Sequence, residues 1–407
     1  MPNTVLRDER KLVGLIAVGH FFSHYFIMSL PPLFPLLKAE YGVSYTTLGG
    51  VTATYALCSA IAQYPLGILV DRFGARWFLI AGLAMVSVSF IAIGFTTSIT
   101  ALYVIAVVAG LADGVFHPAD YEILSASVRK ERSGRAYSVH TFTGFAGFAI
   151  APMVIIPLTT VWNWHQVVAA GGIAGLLVAV VMVMNRHKMV SEGTRPVAAA
   201  AGPVRKTSAL KLITSPPILM MFGFYVTAAL ANSGITNHGV STLIEKYGFA
   251  YESASWILPA YLWGTMMGVL AGGIFADRFS RLDIMATIGN IIAGSALIAI
   301  AYLVMPIGAI IATFFVAGFV LGMVMPARDV LVRAVAPDDA AGRAFGFVNS
   351  GFGFGGTIGP IFIGWFLDRG FLESALVIPA IFMIVTMIFA LGASRYRPAV
   401  PQALPAE

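Results

Sequence analysis

Histidines and carboxylates set inside apolar stretches are the residues of this chain best suited to chemistry. His20 and His24 stand one helical turn apart and share a face. Asp113, His117 and Asp120 follow the i, i+4, i+7 spacing of a single helical face. A carboxylate and an imidazole so placed, away from water, alter each other's proton affinity, so either can take and release a proton near neutrality. The plainer alternative for His117 is a hydrogen bond to a kinked backbone above Pro118. Asn232, Asn237 and His238 gather on a third stretch, and Arg328 with Asp329 on a fourth. A guanidinium keeps its charge and forks onto carboxylates and phosphates. Counting back from Pro337 puts Arg328 roughly 13 Å inside the end of its helix, at about 1.5 Å per residue. It reads as an anchor for an anion, or else as an internal partner of Asp329 or Asp120. Tyr25, beside His24, is an aromatic wall for the same space, and His140 and Asn349 are further polar candidates. No metal site is expected, because His20 and His24 have no carboxylate on their own stretch. The single cysteine, Cys58, excludes an intrachain disulfide.

The elements that carry these residues must sit in lipid. Of the 407 residues 58% are hydrophobic and 11% charged, against roughly 25% charged in a soluble domain. Twelve apolar stretches are long enough to cross a bilayer: 12–37, 47–70, 77–96, 101–125, 136–158, 165–186, 217–243, 253–276, 283–304, 308–333, 343–367 and 373–393. They are too long and too continuous for barrel strands, and lipid then leaves only helices. The first stretch is too long for a cleaved leader and is expected to stay in the protein. Lys and Arg outside the stretches crowd to one end of them, whereas Lys38, Lys246 and Arg369 alone mark the other. That asymmetry makes the crowded end cytoplasmic, with both termini there. The net charge of +6 thus belongs to short loops and does not form a nucleic-acid-binding stripe. No nucleotide-binding G-x-x-x-x-G-K-[ST], no H-E-x-x-H and no G-x-S-x-G occurs, so an enzyme is not expected. The short tail after the last stretch speaks against an appended signalling domain, so a membrane sensor is the weaker non-transport alternative.

The chain also repeats itself. Gly67-Ile-Leu-Val-Asp71-Arg72-Phe-Gly74-Ala-Arg76 joins the second and third stretches, and Gly273-Ile-Phe-Ala-Asp277-Arg278-Phe-Ser280-Arg281 joins the eighth and ninth. At a constant offset Gly110, Gly114 and Pro118 align with Gly318, Gly322 and Pro326, and Pro152 with Pro360. The expected organisation is an amino-terminal six-helix half over 1–188, a flexible linker over 189–215, and a second half over 216–407. The linker's Pro196-to-Pro203 run is low in complexity.

The two loops resemble the signature of the major facilitator superfamily of secondary transporters. The resemblance implies an all-α fold of 12 membrane helices in two pseudo-symmetric halves. It implies a central cavity lined by the first, fourth, seventh and tenth helices, where the polar residues above were found. Arg328, His24, His20, Asn237, His238 and Tyr25 are then substrate-binding candidates, and Asp113, His117, Asp120 and Asp329 proton-coupling ones. By the same resemblance Asp71, Arg72 and Arg76 brace against the start of the eleventh helix, near Arg343. Asp277, Arg278 and Arg281 would do so against the fifth. Gly110, Asp113 and Pro118 are similar to the pattern of organic-anion:cation symporters, although His117 stands where those have an aromatic. The His117-Pro118 pair resembles fosmidomycin-resistance-type exporters instead, and Ala106 stands where drug:proton antiporters carry Arg. The expectation is a monomeric carrier without cofactor that takes up a small organic anion with protons, or alternatively one that extrudes a drug or metabolite.

Overall fold

Backbone amides and carbonyls cannot go unpaired in hydrocarbon, so a chain this apolar folds as helices that satisfy their own backbones. In the computed structural model, which describes residues 3–189, 208–278, 282–337 and 341–396, this is what forms. Among the described residues, twelve helices are long and apolar enough to cross a membrane. They are span 1 (Glu9–Tyr41), span 2 (Tyr45–Phe73), span 3 (Ala75–Ile93), span 4 (Ile99–Ser127), span 5 (Arg132–Leu158) and span 6 (Trp164–Met184). The second half holds span 7 (Pro216–Tyr247), span 8 (Tyr251–Phe275), span 9 (Asp283–Tyr302), span 10 (Ile307–Val335), span 11 (Ala344–Leu367) and span 12 (Ser374–Ser394). Most of the linker anticipated over 189–215 lies outside the described residues.

Three of the spans that carry polar residues are broken, two of them where proline or glycine weakens the helix. Span 1 leaves the α-helix after Ile27 and restarts at Phe34, because Pro31 and Pro32 lack the amide a continuing helix needs. Span 4 breaks after Asp113 and resumes at Phe116, one turn around Gly114 that lets Pro118 sit in a new first turn. Span 7 widens into a π turn over Gly234–His238. Span 10 differs: Pro326 lies inside a helix that runs unbroken from Ile307 to Val335. The sequence repeat therefore keeps the proline but not the break.

The repeated glycines have one structural task in both halves. A methyl on Gly110 would fall 2.4 Å from Tyr55 O, and one on Gly114 2.8 Å from Ser59 O. Their counterparts Gly318 and Gly322 would meet Tyr261 O at 2.0 Å and Thr265 O at 2.1 Å. Span 4 thus presses backbone-to-backbone on span 2, as span 10 does on span 8, which is how helices gain contact where lipid offers no hydrophobic drive.

The halves meet along spans 2 and 11 and along spans 5 and 8. Gly49 lies against Pro360, where a methyl would stand 2.4 Å from the carbonyl oxygen, and Gly364 lies against Tyr45. The bonds across this seam gather at the end marked by Lys38, Lys246 and Arg369. Asp368, just past span 11, accepts from Tyr45 N and Thr46 N at 2.8 Å each and from Thr46 Oγ1 at 2.5 Å. It thereby caps the first turn of span 2, where a carboxylate also gains from the helix dipole. Lys38 pairs with Glu245 at 2.7 Å, Tyr45 Oη donates to Glu245 at 3.0 Å, and Tyr251 Oη donates to Pro32 O at 3.2 Å.

Candidate functional site

Spans 1, 4 and 5 bring four histidines around one aspartate. Asp120 is wholly buried and shares a 3.0 Å hydrogen bond with His140 Nε2. His20 Nδ1 lies 3.2 Å from the same oxygen, close enough to feel its charge but badly aligned for a hydrogen bond. The His20 ring stacks on His140 with centroids 3.7 Å apart, and stands 4.5 Å from His24 and 5.3 Å from His117. Span 5 makes room for this with glycine: a methyl on Gly144 would come 2.8 Å from His20 Nε2, and one on Gly147 2.3 Å from Phe21 O. His117 is the exposed member of the group, with its ring stacked 6.3 Å from Tyr121. Tyr121 in turn lies within electrostatic reach of Asp329 in the other half, so His117 and Tyr121 border the space between halves.

Across that space Arg328 rests in the corner formed by two rings, its guanidinium carbon 4.6 Å from the Tyr225 centroid and 4.7 Å from that of Phe352, which themselves meet edge to face 4.9 Å apart. Such cation–π contacts favour one placement of the guanidinium. Its Nε donates to Asp329 Oδ1 at 3.1 Å, and Tyr225 Oη donates to the same oxygen at 2.6 Å. The internal Arg328–Asp329 pair anticipated as the alternative is therefore made. Asn232 is exposed on span 7 and accepts from Tyr261 Oη at 2.9 Å.

The structure redistributes the other residues singled out in the sequence. Asp113 does not pair with His117: it accepts from Ser23 Oγ and Ser59 Oγ at 2.8 Å each, inside the first half, and ties spans 1 and 2 to span 4. The break after Asp113 is the reason, because it turns His117 off the face that a straight helix would share. The carboxylate partner of the histidines is Asp120. His238 is fully buried near Phe34 and Tyr45, and its Nε2 meets Pro360 O at 2.7 Å, so it joins spans 7 and 11 and does not line a pocket. Asn237 likewise accepts from Thr52 Oγ1 at 3.2 Å across the seam. Tyr25 is buried against Gly171 of span 6, within the first half. Asp71 and Arg72 are exposed and, among the described residues, reach nothing on span 11, while Arg76 donates from Nε to Met189 O at 2.7 Å. The side chains of Asp277, Arg278 and Arg343 and the whole of Arg281 lie outside the described residues.

Sequence reasoning missed the Asp368 cap, the serine partners of Asp113, and Phe352 beside Arg328. Only the serines left a trace, as hydroxyls inside otherwise apolar helices facing an aspartate. Two recesses lie away from this chemistry. One of about 280 Å³ runs between Arg10, Arg132 and Val139, and one of about 320 Å³ between Phe142 and Met266. The polar geometry, not recess size, locates the candidate site.

Comparison with known proteins agrees with this architecture. The family model described as Major Facilitator Superfamily matches residues 16–239 and 227–407. The fosmidomycin resistance protein of Escherichia coli is 24% identical over 398 residues, covering 95% of this chain and 93% of its own length. A probable sulfoacetate transporter of Cupriavidus necator is 22% identical over 394 residues, covering 89% and 88%. Among solved structures, a bacterial homologue of the human lysosomal transporter Spinster, in an inward-facing and unoccupied conformation, superposes with a TM-score of 0.78. It shares 14% identity over 96% of this chain and 98% of that one, which speaks to the fold alone.

Proposed function

The chain belongs to the Major Facilitator Superfamily, and from that membership we propose a proton-coupled carrier that takes up a small organic anion by alternating access. Transport in general rests on the family and its relatives; the anion, the proton and the direction are our reading. The observation that carries the anion is Arg328. A guanidinium held against the Tyr225 and Phe352 rings in span 10, beside the space between halves, is a preset fork for a carboxylate, sulfonate or phosphate. The relative described as a sulfoacetate transporter supports the same substrate class. Protonation is assigned to His117 at the border of the space, with Asp120 and His140 behind it, and to Asp329 beside Arg328. The His20 and His24 rings border the same polar group. Asp113, held by two serines, is withdrawn from the proton path in this reading.

The Arg-rich end is taken as cytoplasmic, with both termini there, in a plasma membrane or bacterial inner membrane. The halves, 1–188 and 216–407, then rock as bodies about the seams, and the Asp71 and Asp277 loops engage only when the Arg-rich end closes. The bolted seam at Asp368 supports a state open toward that end. The family resemblance to a fosmidomycin resistance protein favours a second reading, export of a drug or metabolite. Reconstitution separates the two. Uptake of labelled sulfonates, carboxylates or organophosphates into proteoliposomes driven by an inward proton gradient supports the first. Accumulation driven only by an outward proton gradient replaces it with the second.

A further inference from the structure

The recess of about 280 Å³ between spans 1 and 5 has a lining that the carrier chemistry leaves unexplained. Arg10, Arg132 and Arg135 line its shallow side, in the first turn of each span, and Val13 and Val139 lie deeper. One carboxylate, Glu9, also lines it, but both of its oxygens are taken. Oε1 accepts from Arg129 Nε at 2.6 Å, and Oε2 accepts from Arg129 Nη2 at 3.1 Å and Arg132 Nη1 at 2.9 Å. Among the described residues no carboxylate pairs with Arg10 or Arg135. The recess therefore keeps an excess of positive charge, in a form that forks onto phosphate.

The same recess opens onto apolar surface. On span 1, Gly14 and Val18 stand nine and five residues before Ser23, about half a turn around the helix from it. Ser23 donates inward to Asp113, so Gly14 and Val18 face away from the interior of the half, and both are exposed. On span 5, Arg135, Val139 and Phe142 follow the i, i+4, i+7 spacing of one face, and all three are exposed. Phe142 also lines the second recess, of about 320 Å³, where Phe145 of span 5 meets Met266 and Leu270 of span 8. From Arg135 to Phe145 the helix advances ten residues, about 15 Å at about 1.5 Å per residue, or half of a hydrocarbon core of about 30 Å. Unpaired cations at the membrane surface, an apolar strip below them and an apolar crevice one leaflet deep match the parts of a phospholipid. We propose that this face binds one phospholipid with an anionic headgroup, its phosphate on Arg10 and Arg135 and one acyl chain running past Val139 into the crevice beside Met266. Arg132, already held by Glu9, shapes the recess and leaves the other two arginines to the lipid. The proposal does not depend on the transport reading, because binding is measured without transport.

The test uses full-length protein in a nonionic detergent, titrated with phosphatidylglycerol or phosphatidylcholine of identical chains, with bound lipid counted by native mass spectrometry. The expected result is one phosphatidylglycerol per chain, held at least about tenfold more tightly than phosphatidylcholine. Attraction of an anionic lipid amounts to about fivefold per arginine, so Arg10→Gln and Arg135→Gln should each weaken phosphatidylglycerol by about that factor and leave phosphatidylcholine unchanged. Arg186→Gln should change neither, because Arg186 is an exposed arginine just past span 6, outside the recess. Equal affinity for the two lipids, or wild-type affinity in Arg10→Gln/Arg135→Gln, overturns the proposal. So does an equal loss in Arg186→Gln, which would show only diffuse attraction between charges. Inorganic phosphate should not displace the lipid, and full displacement would leave an anion pocket without an acyl groove and overturn it. Photolabelling of the wild-type protein by phosphatidylglycerol with a diazirine on one chain provides a check free of any variant's folding. Adducts are expected on spans 5 and 8 around Phe145 and Met266, and their absence there also overturns the site.

Discussion

At the scale of single residues, two carboxylates on one helix have separate tasks. Asp113 accepts from two serines within the first half, and Asp120 sits among imidazoles. Asp120→Asn should therefore abolish proton-driven accumulation while leaving counterflow exchange of substrate measurable, as removal of a proton site without removal of the path predicts. Asp113→Asn leaves a group that can still accept from Ser23 and Ser59, so it should lower thermal stability more than it changes pH dependence. The opposite pattern in the two variants would exchange their roles. Arg328 makes a second residue-level case. Hydrogen bonds to charged groups contribute about 1.5–3 kcal/mol, so Arg328→Ala should weaken an anionic substrate about tenfold to a hundredfold in equilibrium binding. Arg328→Lys should rescue only part of this, because an ammonium cannot fork onto an anion and is held less well by the Tyr225 and Phe352 faces. Unchanged affinity in Arg328→Ala would leave Arg328 only its internal pair with Asp329.

At the scale of elements, the glycines of spans 4 and 10 set how closely helices approach. Gly318→Ala puts a methyl 2.0 Å from Tyr261 O, so spans 8 and 10 must separate. Overpacking of this kind costs about 1–3 kcal/mol, and melting of the detergent-solubilised protein should fall by several degrees. Gly308→Ala, on the same span with nothing within 4 Å, should leave it unchanged. Equal melting of the two variants would refute the packing account. These glycines show what was legible in the sequence. Hydropathy and the constant offset between Gly110 and Gly318 led to the twelve helices and their duplication, because lipid permits so few backbone solutions. Where within a helix a side chain points was far less legible. A face assignment at i, i+4 assumes a straight helix, and the break between Asp113 and Phe116 separates Asp113 from His117. The π turn over Gly234–His238 carries His238 to Pro360 in the same manner. Glycine and proline mark where a helix can break, but Pro326 leaves span 10 intact, so whether a break forms also depends on packing against other spans. Arg328 and Asp329 lie on span 10, which runs unbroken past Pro326, so spacing along a straight helix applies to them.

At the scale of the whole molecule, the halves are joined where few charges lie, and Asp368 is the main polar fastening there. Burial pushes its carboxyl up, but hydrogen bonds from the Thr46 side chain and from the Thr46 and Tyr45 amides outweigh this and hold it below the usual 3.8. The sign of the pH dependence follows. A carboxyl whose pKa is lower when latched than when free stabilises the latch fully above the free value. That stabilisation is lost as pH falls through the lowered one. Between about pH 8 and about pH 5 the carboxyl stays ionised in either state, so the fastening should not respond. This would leave the histidine cluster, rather than the seam, to sense protons in that range. Spin labels on Thr97→Cys and Val304→Cys, in a Cys58→Ser background, report the separation of the halves at this end. Their distance distribution should be the same at both pH values in the otherwise wild-type protein. Asp368→Asn, which removes the charge at the first turn of span 2, should add a longer-distance population at either pH. A shift between about pH 8 and about pH 5 with Asp368 intact would move the proton-sensing element from spans 1, 4 and 5 to the seam itself.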